Sequence, residues 1–416
     1  MNKFRVVLVG VGVVVLVLGS CGGPAKPPTT LQPIPDTGSA TPDEPKTIPP
    51  DSGPVEPKSV TRPPPPAPVT TWTIHAIDVG TGLAIFVRGP DFTLLYDAGS
   101  NDDGKLGVGN RVLAYLKAIE PNLKKIDHVL LSHPHEDHVE LLPDVITNYE
   151  IASVWDSGRM HPICGYRRFL DAIEVETDVS YHTVKHPKGS GTVAFKALNN
   201  CAGKAKLPAK KFNFNFADQI AVGTTVKLGT EASMKFLHAH ADDKKPTGGD
   251  LSPNENSLVI RLSLGSHVIL LTGDAEGDHD RKTWPKVAKL ASAEGRLLAC
   301  CKDDLKADIL IVGHHGSKTS SRTDFLDAVS PEISVISSGP RAYSGTSLPD
   351  ADVVAALTKR GVVMTTKPTA DEAVCKQHVG KIGSDADGKP GGCDNIQITL
   401  TSADTKRETR IWSIAD

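Results

Sequence analysis

The longest uninterrupted apolar run in this 416-residue chain, Val6–Leu18, has 13 residues, whereas a bilayer-spanning helix needs about 20. With 39% hydrophobic and 23% charged residues, the chain is not a multi-span membrane protein. It also lacks a charge excess. Its 46 Lys and Arg against 49 Asp and Glu leave a net charge of −3, which excludes a protein that holds polyanions by bulk field alone. No CxxC pair occurs among its 7 cysteines, so zinc-ribbon chemistry has no support. Gly80-Thr81-Gly82 is followed by neither a third glycine nor a helix pattern, so it is not a dinucleotide fingerprint. No repeat of short fixed period runs through the chain.

What is present begins with Lys3 and Arg5 ahead of that apolar run, the order of an export signal. Leu18-Gly19-Ser20-Cys21 resembles a bacterial lipobox. The expectation is a signal peptide over 1–20 and a lipid on Cys21, anchoring the protein in the cell envelope. Gly22 follows in place of an inner-membrane-retaining aspartate, which favours the outer membrane, facing periplasm or exterior. Residues 21–70 carry 16 of the 31 prolines and almost no large apolar side chains; they read as a disordered, semi-extended spacer. Residues 71–416 are then the folding domain. Its six cysteines suit an oxidising compartment. Cys375 and Cys393 bracket a Gly/Asp-rich loop and are expected to pair, Cys164 with Cys201 is the next pairing, and adjacent Cys300 and Cys301 are left awkward.

From Trp72 onward short β-rich runs alternate with amphipathic stretches. Strands are expected at 73–79, 84–88, 93–96, 128–132, 153–156, 233–237, 257–262, 267–272, 309–312, 333–337, 361–365 and 396–401. Helices are expected at 108–120, 139–149, 166–175, 275–293, 322–328 and 350–360, with polar insertions at 186–218 and 368–394. The fold class is α/β, and two sheets packed face to face with helices outside accommodate that order. For alternating Phe212, Phe214 and Phe216, an edge strand burying one face is at least as good a reading as base stacking. The lysines at 204, 206, 210 and 211 read as a solvated loop before they read as a nucleic-acid track.

The chemistry concentrates after the strand ending Val129-Leu130-Leu131, in Ser132-His133-Pro134-His135-Glu136-Asp137-His138. Three imidazoles and a carboxylate in six residues suit zinc, manganese or iron, and a set this dense can serve two ions.

HxHxDH after a strand resembles the metallo-β-lactamase superfamily, whose fold is an αββα sandwich. Further segments resemble the hydrolase domain of ComEC-type DNA-internalisation competence proteins: Asp78-Val79-Gly80-Thr81-Gly82 with Asp97-Ala98-Gly99, then Asn256-Ser257-Leu258-Val259 with Leu271-Thr272-Gly273-Asp274-Ala275-Glu276, then His314-His315-Gly316-Ser317-Lys318-Thr319-Ser320. The resemblance implies two divalent metal ions, zinc or manganese. His133 and His135 would hold the first, Asp137, His138 and His315 the second, with Asp274 bridging. Asp97 would orient the ligand loop. His314 would touch substrate or donate a proton, and Asp137 and Glu276 would join the catalytic set, although a glutamate in an exposed first helical turn explains Glu276 equally. From their composition, Ser317, Lys318, Thr319 and Ser320 suit contact with phosphate oxygens, although a polar strand-to-helix turn with a capping serine explains that run taken alone.

Three departures from that family stand out. Glu140 occupies a position where glycine usually stands, Ser344-Gly345-Thr346 replaces a histidine-bearing segment, and no motif marks a third histidine for the first ion. His161, His182, His186, His238 and His240 are all available. The reading is a metal-dependent hydrolase, foremost a phosphodiesterase or nuclease whose partner is extracellular or periplasmic DNA. The alternatives are a hydrolase of small phosphoesters, such as choline phosphoesters or nucleotides, and a non-catalytic binding module.

Overall fold

In the computed structural model, described for residues 69–415 apart from 103, 202–204, 243, 245–250, 344, 368–378, 385–394 and 404–406, strands gather into two large sheets. The first has the spatial order Val379–Ser384, Glu408–Ala415, Asn395–Thr401, Thr71–Ala76, Ile85–Arg88, Thr93–Tyr96, Lys125–Leu131, Glu150–Asp156, Ser180–Thr183, Lys210–Phe216, Gly189–Phe195. The second runs Thr225–Gly229, Ala232–His238, Val259–Leu264, His267–Leu271, Ile309–Ile311, Ile333–Ile336, Val362–Thr365. The expected signal segment, Cys21, the spacer as far as residue 68, and the Cys375–Cys393 pair lie outside the described residues.

The central strands of each sheet are buried on both faces, so they read as near-continuous apolar runs whose side chains alternate between two cores. In Lys125–Leu131, Leu130 points into the core between the sheets while Val129 and Leu131 face the helices Arg111–Ile119, Leu142–Asn148 and Cys164–Val175. Trp72, Ile74, Phe236, Ile260, Ile269 and Ile309 fill the inter-sheet core from both sides. Leu270, Leu310 and Ile336 pack outward against Ala293–Cys301, Thr323–Val329 and Ala351–Thr358. The architecture is the expected αββα sandwich.

Three expectations need correction. Residues 275–293 form no long helix; only a short turn at Arg281–Thr283 and the start of the helix at Ala293 appear there. Asp278 and Asp280 accept from the backbone N–H groups of Asp280 and Lys282, a local bonding that competes with helix, and Pro285 has no N–H to give. The insertion 186–218 is largely strand, Gly189–Phe195 pairing antiparallel with Lys210–Phe216. Phe212, Phe214 and Phe216 do bury one face against the outer core, but the edge strand is Gly189–Phe195. The Cys164–Cys201 disulfide ties this region to the neighbouring helix, and Cys300 and Cys301 bond to each other.

One consequence of the register positions the site. Thr93–Tyr96, Lys125–Leu131 and Glu150–Asp156 are mutually parallel, as are His267–Leu271, Ile309–Ile311, Ile333–Ile336 and Val362–Thr365. The chemistry-bearing loops follow the carboxyl ends of these strands, where open α/β sheets place their crevices.

Candidate active site

Strand Lys125–Leu131 delivers the histidine loop, whose last residues form the short helix Glu136–Val139 carrying Asp137 and His138. Strand Thr93–Tyr96 ends at Asp97, His267–Leu271 leads to Asp274, and Ile309–Ile311 leads to His314 and His315. Asp97, His314 and His315 have φ of 58°, 48° and 52°. Left-handed backbone at three non-glycine residues costs energy and persists only where surrounding structure imposes it. Gly99 allows its segment to lie against the ligand helix, since a Cβ there would stand 2.3 Å from the backbone nitrogen of His138.

Asp97 is fully buried and organises the loop. Its carboxylate accepts from the Ser132 N–H at 2.6 Å, the Ser132 hydroxyl at 2.7 Å and His138 Nδ1 at 2.8 Å. That fixes the His138 tautomer and aims Nε2 at Asp274 Oδ1, 3.1 Å away. His315 is oriented the same way, with Nδ1 donating to the Ser337 carbonyl at 2.8 Å and Nε2 lying 3.6 Å from both Asp137 Oδ2 and Asp274 Oδ1. His133 Nε2 stands 3.8 Å from Asp274 Oδ2 and 2.9 Å from His135 Nδ1. Asp274 therefore presents one oxygen to His138 and His315 and the other to His133 and His314.

The charges are strongly coupled. Burial disfavours charge on His138, yet the Asp274 and Asp97 carboxylates outweigh it and hold the imidazole well above its ordinary value. Burial opposes charge on Asp274 too, but His138, His315 and His314 hold it well below the carboxylate range. His133 is pushed far down by burial and by His138 and His135. Among the described residues, His138 Nε2, His315 Nε2 and Asp274 Oδ1 are buried without a hydrogen-bond partner, although buried polar atoms are almost always satisfied. Orphaned imidazole nitrogens converging on an orphaned carboxylate oxygen are what a bound cation would satisfy, so the donor set fits a divalent transition metal. Among the described residues three ligand groups qualify; two surround Asp274, His133–His138–Asp274 and Asp137–His138–His315, and the third, Glu255–Glu276–His279, is built on other residues. His135 belongs to none of them; it lines the adjacent cavity, its ring 5.4 Å from that of His161. Of the five histidines available to complete the first set, only His161 reaches the cavity lining.

That cavity, about 610 Å³, is also lined by Asp137, Asp274, His314, His315, Arg281 and Arg341, among others. His314 Nδ1 lies 3.0 Å from Glu276 Oε1 and 2.7 Å from the Thr319 hydroxyl, and the Asp274 and Glu276 charges raise the imidazole to about 9 against its burial. Glu276 is 3% exposed. With no helix there, the exposed-helix explanation of this residue falls, and Glu276 supports His314 directly. Ser317 and Thr319 line the cavity. Lys318 turns away to pair with Asp352, and the Ser320 hydroxyl donates to the Gly313 carbonyl at 2.7 Å, bracing the loop. Neither meets the cavity, because the turn alternates and Asp350 and Asp352 capture the lysine's backbone and side chain. Glu140 is spent on an ion pair with Arg168, and Lys210 on Asp171 and Glu174.

Residues 77–218 match the family described as the Metallo-beta-lactamase superfamily. Over that segment the chain is similar to the superfamily. The metallo-β-lactamase match embraces Asp97 and the whole histidine loop and ends before Asp274. Recombination protein 2 of Haemophilus influenzae is 27% identical over 271 residues, covering 65% of this chain and 24% of that protein. ComE operon protein 3 of Bacillus subtilis is 24% identical over 283 residues, covering 64% of this chain and 28% of that protein. The chain thus spans about a quarter of the length of these curated relatives. Among solved structures, a metallo-beta-lactamase fold protein from Bacillus subtilis aligns at 11% identity and a TM-score of 0.37, covering 72% of this chain and 97% of its own, too loose a likeness to carry argument.

Sequence reasoning passed over Arg281, Arg341, Tyr343, Asn101 and Asn254, all in the cavity wall. Arg281 was hidden inside the expected helix. Tyr343 sits beside Ser344-Gly345-Thr346, where departure from the family pattern was the available signal.

Proposed function

We propose that this protein is a metal-dependent phosphodiesterase acting on nucleic acid outside the cytoplasm, held at the envelope by a lipid on Cys21. The observation that carries the reading is the convergence of three buried, unpartnered ligand atoms, on His138, His315 and Asp274, beside a cavity that also holds His314 and two arginines. His133, Asp137, His138, Asp274 and His315 would hold the metal, two ions in the fullest case, with His135 and His161 at the cavity side. When bound, such ions lower the pKa of water and neutralise charge on the attacking and leaving oxygens of a phosphoryl displacement.

The chain's own residues supply the rest. Asp97 keeps His138 in one tautomer through the Nδ1 contact. Glu276 and Thr319 keep His314 Nδ1 engaged, leaving Nε2 toward the cavity, 3.8 Å from Asp274 Oδ2. From there His314 can hand a proton to a departing alkoxide. Arg281 is held by Asp350 at 2.6 and 2.7 Å and donates to the Ser317 hydroxyl at 2.9 Å, which fixes Ser317 and the guanidinium together at the cavity wall.

The test supplies zinc or manganese to the full chain, without reducing agent, and offers labelled single- and double-stranded DNA together with small phosphodiesters. DNA hydrolysis that chelator abolishes is expected. Turnover of small esters alone would replace the nuclease reading with the small-phosphoester one, and full metal occupancy with no turnover would leave a binding module. Cys21 is tested separately: the mature chain should begin at a lipid-modified Cys21, and an intact Met1–Ser20 segment on it would overturn the anchor.

A further inference from the structure

Resting on the phosphodiesterase reading, we infer that Arg341 and Tyr343 form a nucleotide subsite beside the metal ligands, which makes single-stranded nucleic acid the substrate class. The two residues lie on a small hairpin, Ala342–Tyr343 paired with Thr346–Ser347, at the cavity wall. Tyr343 is an exposed aromatic, 36% accessible. Its hydroxyl is nevertheless pinned, donating to Asp137 Oδ2 at 3.1 Å and accepting from Asn101 Nδ2 at 2.6 Å. A ring held at its polar end keeps a fixed, solvent-facing π surface next to a candidate metal ligand, a geometry suited to stacking an unpaired base.

Arg341 extends this platform, its guanidinium 6.0 Å from the Tyr343 ring centroid. It donates to the Asn101 carbonyl at 2.6 Å. Among the described residues no carboxylate pairs with it, in contrast to Arg281, whose charge Asp350 already neutralises. The Arg341 guanidinium at the cavity wall is therefore left to draw in a phosphate of the substrate strand. The cavity volume, about 610 Å³, falls in the range that takes an organic ligand of nucleotide size rather than a bare phosphate. Bases in a duplex have their faces covered by neighbours, so a stacking subsite selects the single strand.

The probe is a fluorescent thymidine hexamer with phosphorothioate linkages, titrated by anisotropy into the zinc-saturated full chain across a salt series. Tyr343→Ala should weaken binding about tenfold, and Tyr343→Phe, which keeps the ring, should restore it to within about threefold of the parent. Arg341→Ala should lower the slope of log affinity against log salt by about one ion. The same sequence in duplex form should bind more weakly. Equal losses in the Ala and Phe variants, an unchanged salt slope, tighter binding of duplex or no binding by the parent chain would each overturn the subsite. Unmodified hexamer is run in parallel. Binding without cleavage leaves the subsite standing and removes the nuclease reading, whereas cleavage by the parent with unaffected variants does the reverse.

Discussion

The two sheets furnish the same centre in different ways. The first contributes a dense linear cluster, His133 to His138, from one loop after one strand, with Asp97 behind it. The second contributes isolated residues from successive parallel strands: Asp274 after one, His314 and His315 after the next, and the Ser337 carbonyl after a third. The family match stops at residue 218, inside the first sheet's half. A ligand set concentrated in sequence is recognisable as a string, while one dispersed over strand ends exists only once register aligns those ends. The dispersed half nonetheless holds Asp274, which touches ligands of both halves.

If Asp274 is the junction, replacing it should break the centre more completely than any other change. Asp274→Asn removes the charge shared by His133, His138, His315 and His314, and turnover of a phosphodiester should fall by about 10³-fold or more. A loss no larger than that of His314→Ala would break the comparison. His314 lies outside all three ligand groups, so His314→Ala should retain metal while kcat drops by about 10²-fold, measured by metal content and steady-state kinetics on one preparation. On the first sheet's side, Asp97→Asn keeps shape but weakens the hold on His138 Nδ1, and metal affinity should fall about 30-fold by competition with a chelator.

The smallest effect lies away from the centre. His75 in the first sheet is buried between Tyr115 and Thr73, with ring nitrogens 2.9 Å from each hydroxyl, and burial lowers it from 6.5 to about 3. The folded state disfavours the imidazolium, so the unfolded chain takes up the proton first. This contribution is complete above pH 6.5 and drains as pH falls toward 3, by up to about 1.4 kcal/mol per pH unit. Denaturant titrations between pH 7 and 4 should therefore show a shallower acid decline in His75→Gln than in the parent. Parallel curves would show that this imidazole is not held neutral by the fold.

The twelve expected strands all appear, because apolar runs such as Val129–Leu131 and Ile309–Val312 sit between turn residues and cannot reach helical length. The strand Gly189–Phe195 was obscured by glycine and lysine, and its identity comes from pairing with Lys210–Phe216 and from the nearby disulfide. The helix expected over 275–293 had the composition but not the backbone: aspartates bonding to nearby amides and Pro285 take its place, and in that non-helical segment Arg281 lines the cavity and Glu276 meets His314. At the site, the histidine loop could be read from spacing alone. Lys318 could not, because whether a lysine meets substrate or a carboxylate remote in sequence depends on where Asp350 and Asp352 fall in space.

The central claim is that residues from both sheets hold a divalent metal jointly. Inductively coupled plasma mass spectrometry of the full chain and its Asp274→Asn and His138→Ala variants, dialysed together against zinc, tests it most directly. Stoichiometric metal is expected in the parent, two ions per chain at full loading, with a loss in each variant although the substituted residues come from different sheets. Metal retained in full by Asp274→Asn would contradict it, since the first sheet's histidine loop would then be binding alone.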